Sequence, residues 1–166
     1  MYSFSRNKLY KIVLPIHGFM ENYTNTIEII TTPEKAYEAL IRKIPLWWSE
    51  MFNGSSREPD DVFTIQFGDN IHKTFRVKEA VPESRIVWYV VDSLIGLPEL
   101  KNQTEWIGTT IVWEIEKNEN GILLKLTHRG LHPDVECYHI CSNGWVQFIN
   151  SLKLFLETGT GSPFTG

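Results

Sequence analysis

The sequence predicts an α+β domain: a curved antiparallel sheet of about six strands wrapped around a long C-terminal helix, with one short helix after the first strand. Two observations carry this. Between residues 62 and 129 apolar residues alternate with polar ones at the period of half-buried strands. From Tyr138 to Leu156 the apolar residues Tyr138, Cys141, Trp145, Phe148, Ile149, Leu152, Phe155 and Leu156 instead recur at helical spacing. Strands that expose one apolar face, followed by a single large amphipathic helix able to cover it, define a two-layer architecture.

The first strand is expected over Thr24 to Thr31, where Ile27 and Ile29 oppose Thr26 and Glu28. Thr32 is placed as an N-cap, Pro33 suits the first helical position and Glu34 complements the helix dipole, so a short helix should run from Pro33 to about Lys43. Pro45 stops it, and Trp47 and Trp48 follow. Asn53 to Asp61 reads as an exposed loop. Phe63 to Phe67 and Phe75 to Val77 form a hairpin about Gly68, Asp69 and Asn70, and Arg85 to Val91 is the next strand. A loop is expected from Asp92 to Gln103. The alternation of Ile107, Thr109, Ile111, Trp113 and Ile115 then suggests one long strand over Thr104 to Glu116, returned by Ile122 to Arg129. The last helix should start near Asp134 and stop at Gly159, where glycine can take the left-handed conformation. Residues 1–21 read as an N-terminal extension, 22–160 as the single domain and 161–166 as a C-terminal tail.

The 166 residues suffice for one domain with a substantial core. A formal net charge of −4 gives no electrostatic basis for nucleic-acid binding, which rests on clustered Lys and Arg. Apolar runs such as Ile86 to Val91 span about six residues, against the roughly 20 a membrane helix requires. Cys137 and Cys141 stand four apart in a helical pattern, unlike a disulfide framework, so a reducing, cytoplasmic setting is expected.

The order strand, short helix, meander, long helix is the helix-grip arrangement. Thr31 to Tyr37 at the first strand-to-helix junction, Trp47 and Trp48 after the helix, and Gly144, Trp145, Leu152 and Leu156 to Gly159 at the end strengthen the match. On these residues the sequence resembles the START-like (SRPBCC) superfamily, in particular proteins similar to the C-terminal domain of activators of the heat-shock protein 90 ATPase. The resemblance covers roughly residues 22 to 160, and its motifs specify fold rather than activity. It implies a cavity between sheet and helix that accepts a hydrophobic or amphipathic small molecule. The co-chaperones of this group carry a further N-terminal domain that residues 1–19 are too short to supply, so ligand binding is expected ahead of ATPase activation.

Candidate pocket-lining residues are Trp48, Phe63, Phe75, Trp88, Trp113, Leu124, His128, Tyr138 and Trp145. Rigid aromatic surface suits a flat apolar ligand, although the same rings can equally fill a close-packed core. His128 lies on the apolar side of its strand, where a satisfied structural histidine is the plainer reading. His128, His132, Cys137, His139 and Cys141 are cysteines and histidines of metal-ligand type, but their spacing does not converge, and no metal is expected. Cys141 belongs to the helix's apolar stripe and reads as a small core residue. Glu105 and Asp92 are the carboxylates placed near a cavity mouth, where a cofactor-free cyclase or hydrolase would need them. No phosphate loop, nucleophile triad or zinc helix accompanies them, so no catalytic residue or cofactor is assigned and binding is expected ahead of catalysis. The third use of such a domain is to dock a protein partner, a chaperone or a second copy, through the exposed sheet face or Trp47 and Trp48.

Overall fold

Thr32 starts the first helix as its residue type suggests: its Oγ1 accepts the Lys35 N–H at 3.2 Å, its backbone is extended, and Pro33 occupies the first turn. The computed structural model describes residues 21–166, so the extension expected at residues 1–21 lies outside the described residues apart from Glu21. Its elements are β1 (Tyr23–Ile29), α1 (Pro33–Arg42), β2 (Phe52–Gly54), β3 (Val62–Gln66), β4 (Ile71–Val81), β5 (Arg85–Ile95), β6 (Thr110–Asn118), β7 (Gly121–Arg129) and α2 (Tyr138–Thr158). A single 3-10 turn, Ile44–Leu46, carries the chain from α1 to Trp47 and Trp48.

All strand pairs are antiparallel, and the order across the sheet is β1-β7-β6-β5-β4-β3-β2. The meander from β2 to β7 is sequential, and β1 closes onto its far edge with Ile27 opposite Leu124. Register places Ile86, Trp113 and Leu126 in one row, and Trp88, Ile111 and His128 in the next. All six are buried, and they form the inner face that α1 and α2 cover. From α2, Cys141, Trp145, Phe148, Ile149 and Leu152 turn inward. Gly159 ends α2 at φ 87° with its N–H on the Phe155 carbonyl, the left-handed stop expected from its residue type.

Four details depart from the sequence reading. The sheet has seven strands, not six, because Phe52–Gly54 within the expected loop pairs with β3. β5 continues through Asp92 to Ile95, pairing with Ile71 to Thr74 after a register shift, so the loop begins later. The strand expected from Thr104 starts only at Thr110: Gly108 at φ 85° turns the chain, leaving Ile107 46% exposed and folding Trp106 inward. α2 begins at Tyr138 rather than Asp134. The carboxylate of Glu105 accepts the N–H groups of Glu136 (3.0 Å) and Cys137 (2.9 Å), so the segment before the helix is tied to the Trp106 turn instead of winding into it.

The chain after α2 turns back across it. Ser162 N–H donates to Ser151 Oγ, Phe164 N–H to the Trp48 carbonyl, and Glu50 N–H to the Phe164 carbonyl. The expected tail, residues 161–166, thus includes a segment hydrogen-bonded to the body of the domain.

Candidate functional site

Tryptophans dominate the interior because the sheet's inner rows and the helix each present indoles to the same space. Trp48 stacks on Trp47 and on Trp88, with ring centroids 5.4 Å and 5.8 Å apart, and lies 5.1 Å from Trp145. Phe63 and Phe75 stack at 5.0 Å beside Trp88, and Trp113 stands edge-on to Trp47, Trp88 and Trp145. This part of the interior is filled.

At one end of α2 the filling stops. A pocket of about 260 Å³ lies between α2, the Ile71 and Ile95 ends of β4 and β5, and the turn that carries Trp106. Trp48, Trp106 and Trp145 line it with Phe67 and Phe148, and Phe164 of the returning segment contributes a further aromatic ring. Lys73, Cys141 and Gln147 supply its polar atoms. Gly144 also faces it, and a side chain added there would meet no atom within 4 Å. Three other recesses, of about 380 to 430 Å³, are lined largely by charged and polar surface residues.

Lys73 is the unusual member of this wall. It is only 6% exposed, its ammonium lies 3.6 Å from the centroid of the Trp106 ring, and no carboxylate pairs with it among the described residues. Burial lowers its pKa to about 8, partly offset by the charge of Cys141 and Cys137. The sulfurs of Cys137 and Cys141 are 2.7 Å apart, and Trp106 Nε1–H donates to Cys141 Sγ at 3.1 Å. The contact with Cys137 draws the Cys141 thiol below its ordinary range, with Lys73 and Trp106 adding to the effect, and pushes Cys137 up. Cys141 is buried in the apolar stripe of α2, as its residue type suggests, with Lys73 and the Trp106 N–H beside it.

His128 sits beneath this group with every nitrogen used. Trp145 Nε1–H donates to His128 Nδ1 at 3.1 Å, which leaves the ring proton on Nε2, 2.8 Å from Thr109 Oγ1. The Thr109 hydroxyl in turn donates to the Trp106 carbonyl at 2.6 Å. Burial, reinforced by the charge of Lys73, lowers the His128 pKa to about 3, so the imidazole is neutral and fixed in one tautomer.

Of the residues singled out from sequence, Trp48 and Trp145 line this pocket. Phe63, Phe75, Trp88, Trp113 and Leu124 pack in the filled interior, and His128 lies behind Trp106 and Trp145. Tyr138 lines a different recess, with Tyr23 and Asp134. Glu105 is engaged by the backbone before α2, and Asp92 pairs with His72 at 2.9 Å near the surface, so neither carboxylate lines the pocket. Among the described residues no group of three or more His, Cys, Asp or Glu is placed to hold a metal ion, and no helix is long and apolar enough to cross a membrane. Trp106, one of the aromatic residues whose positions suggest that they reach the interior, lines the pocket too, whereas sequence reasoning passes over Lys73, Phe67 and Phe164. For Lys73 a signal existed: it stands two and four residues before Phe75 and Val77, on the same strand face.

The profile of the family described as "Activator of Hsp90 ATPase homolog 1-like protein" matches residues 31–157, which spans all the elements except β1 and the residues after α2. The chain belongs to this family. Within the Activator of Hsp90 ATPase homolog 1-like fold, the Aha1 dimer from Colwellia psychrerythraea is similar at 28% identity and a TM-score of 0.70, over 86% of this chain and 100% of that one. Protein MLL2253 from Mesorhizobium loti aligns with a TM-score of 0.66 at 18% identity, over 82% of this chain and 96% of that one. Protein SSP2350 from Staphylococcus saprophyticus aligns at 0.63 and 18%, over 86% and 96%. The last two show the fold alone. Comparison with the curated proteins finds no match.

Proposed function

We propose that this domain binds a small hydrophobic or amphipathic molecule in the pocket between α2, β4, β5 and the Trp106 turn, without a covalent cofactor. The observation that carries the reading is the contrast within one interior: the filled aromatic stack ends at a space of about 260 Å³ whose walls are largely aromatic and aliphatic. That volume lies just below the roughly 300–1,000 Å³ of drug-sized sites, which suits a ligand of one or two rings. The working unit on this reading runs from residue 22 through Phe164, since Phe164 lines the pocket.

1-Aminonaphthalene, an apolar fluorescent probe of two rings, tests it. Wild type should bind the probe saturably and gain melting temperature by mass action. Gly144→Leu should lose that binding while remaining folded, because the new side chain enters open space and a helical glycine is replaced by a better helix former. Absence of saturable binding to folded wild type, or binding unchanged in Gly144→Leu, refutes the assignment of this pocket.

A second reading is self-association, favoured by the dimer described for the Colwellia protein. Val146 and Leu154 are 45% and 44% exposed on the outer side of α2 and supply apolar surface for it. Sedimentation velocity of wild type against Val146→Glu decides it: a dimer insensitive to that change places the interface elsewhere.

A further inference from the structure

We infer that the molecule held in this pocket carries an acidic group, a carboxylate or its equivalent, and that Lys73 is the residue that receives it. This rests on the small-molecule reading above and narrows it to a chemical class. A lysine ammonium removed from water is costly unless paired and hydrogen-bonded. Lys73 is more than nine-tenths buried, lines the pocket, and among the described residues has neither a carboxylate partner nor a hydrogen-bond acceptor for its three protons. Among the described residues its support is the face of Trp106 and the partial negative charge of the Cys137 and Cys141 sulfurs.

A second orphan lies next to it. Ser93 stands opposite Lys73 in the β4–β5 register, so the two side chains share one face at the close spacing of cross-strand partners, and the Ser93 hydroxyl is buried without a partner among the described residues. Native interiors match nearly all such groups. Ser93 is not itself a lining residue, and Trp88 and Trp113 also leave indole N–H groups unmatched in the filled interior, so it is the Lys73 ammonium, placed in the pocket wall, that a ligand bringing acceptor oxygens explains. The remaining groups facing Lys73 do not compete for that role. His128 from β7 is neutral and fully hydrogen-bonded, the Glu105 carboxylate is held by the backbone before α2, and Cys141 already accepts from Trp106. The ligand so described is flat or compact, apolar along Trp48, Trp145 and Phe148, and acidic at the Lys73 end.

2-Naphthoate and 2-naphthylmethanol differ only in the acid and form the test. Wild type should bind the acid at least about tenfold more tightly than the alcohol, the size of one charge-assisted hydrogen bond. Lys73→Met and Lys73→Gln should lose that preference while binding the alcohol at least as well, and Lys78→Met, an exposed lysine on the opposite face of the same strand, should keep it. Equal affinity of wild type for the two compounds overturns the inference and leaves the small-molecule reading standing. A preference for the acid that survives in either folded Lys73 variant also overturns it. Binding of neither compound to wild type removes both. If both Lys73 variants fail to fold, the wild-type comparison of the two compounds decides alone.

Discussion

Two buried groups able to carry a positive charge face inward from the same sheet, and their surroundings are opposite. Around His128 on β7 each donor meets one acceptor, from Trp145 through the imidazole and Thr109 to the Trp106 carbonyl. Around Lys73 on β4 no carboxylate pairs with the ammonium among the described residues, the neighbouring Ser93 hydroxyl has no partner there either, and Lys73 borders the pocket. The two regions share Trp106, whose ring lies against both side chains and whose carbonyl and indole N–H are used on opposite sides. A matched network of this kind fixes one arrangement of a core. An unmatched one costs stability for as long as its partners are absent, and proteins keep such costs where function requires them.

The comparison is sharpest at Lys73. Its folded pKa of about 8 lies below the ordinary 10.5, so the native state is penalised wherever the unfolded chain holds this proton, in full below about 8 and fading toward 10.5. Lys73→Met should therefore stabilise the unliganded protein at pH 7, by on the order of 3 kcal/mol. The gain should shrink as pH rises from about 8 to 10.5. Urea denaturation at pH 7 and pH 10 measures both, and a destabilised Lys73→Met would show that the ammonium is already matched.

His128 should respond in the reverse direction. His128→Leu leaves the Trp145 N–H and the Thr109 hydroxyl each short of a partner and should cost about 2 kcal/mol at neutral pH. A cost near zero would mean that the network is ornamental to stability.

The next effect is one of pH. His128 has a folded pKa of about 3 against 6.5 in the unfolded chain, so its contribution is present above 6.5 and is lost as pH falls toward 3. Stability should decline by up to about 1.4 kcal/mol per pH unit in that window from this one group. The decline measured for wild type should be shallower in His128→Leu, and parallel curves for the two proteins would place the proton elsewhere.

How far the sequence foretells these two regions depends on whether the determinants are local. Thr32, Pro33 and Gly159 act on their own neighbours, and the short helix and the end of α2 follow from them. Period-two alternation reveals the inner faces of β6 and β7, including inward His128. The start of α2 is not local, since Glu105 sets it from about thirty residues away. β2 has three residues with one glycine, too short to show a period against its loop-like surroundings. Lys73 shows a different limitation: alternation with Phe75 and Val77 points it inward, but residue type argues for solvent, and the conflict itself marks the site. Aromatic chemistry does not distinguish rings that fill a core from rings that border a space; of Trp48, Phe63, Phe75, Trp88, Trp113 and Trp145, the pair Trp48 and Trp145 do both.

The smallest expected effect concerns Gly159. Its left-handed backbone has open space around it, so Gly159→Val should cost only the conformational strain of a β-branched residue, about 1 kcal/mol by thermal or urea unfolding. The segment that this turn redirects holds Phe164 against Trp48 by two backbone hydrogen bonds and thereby completes one side of the pocket. On the proposed binding function, a residue outside the pocket should then influence how long an occupant stays. With the turn strained, the residence time of a bound probe in a stopped-flow dissociation experiment should shorten by more than the change in melting temperature alone suggests.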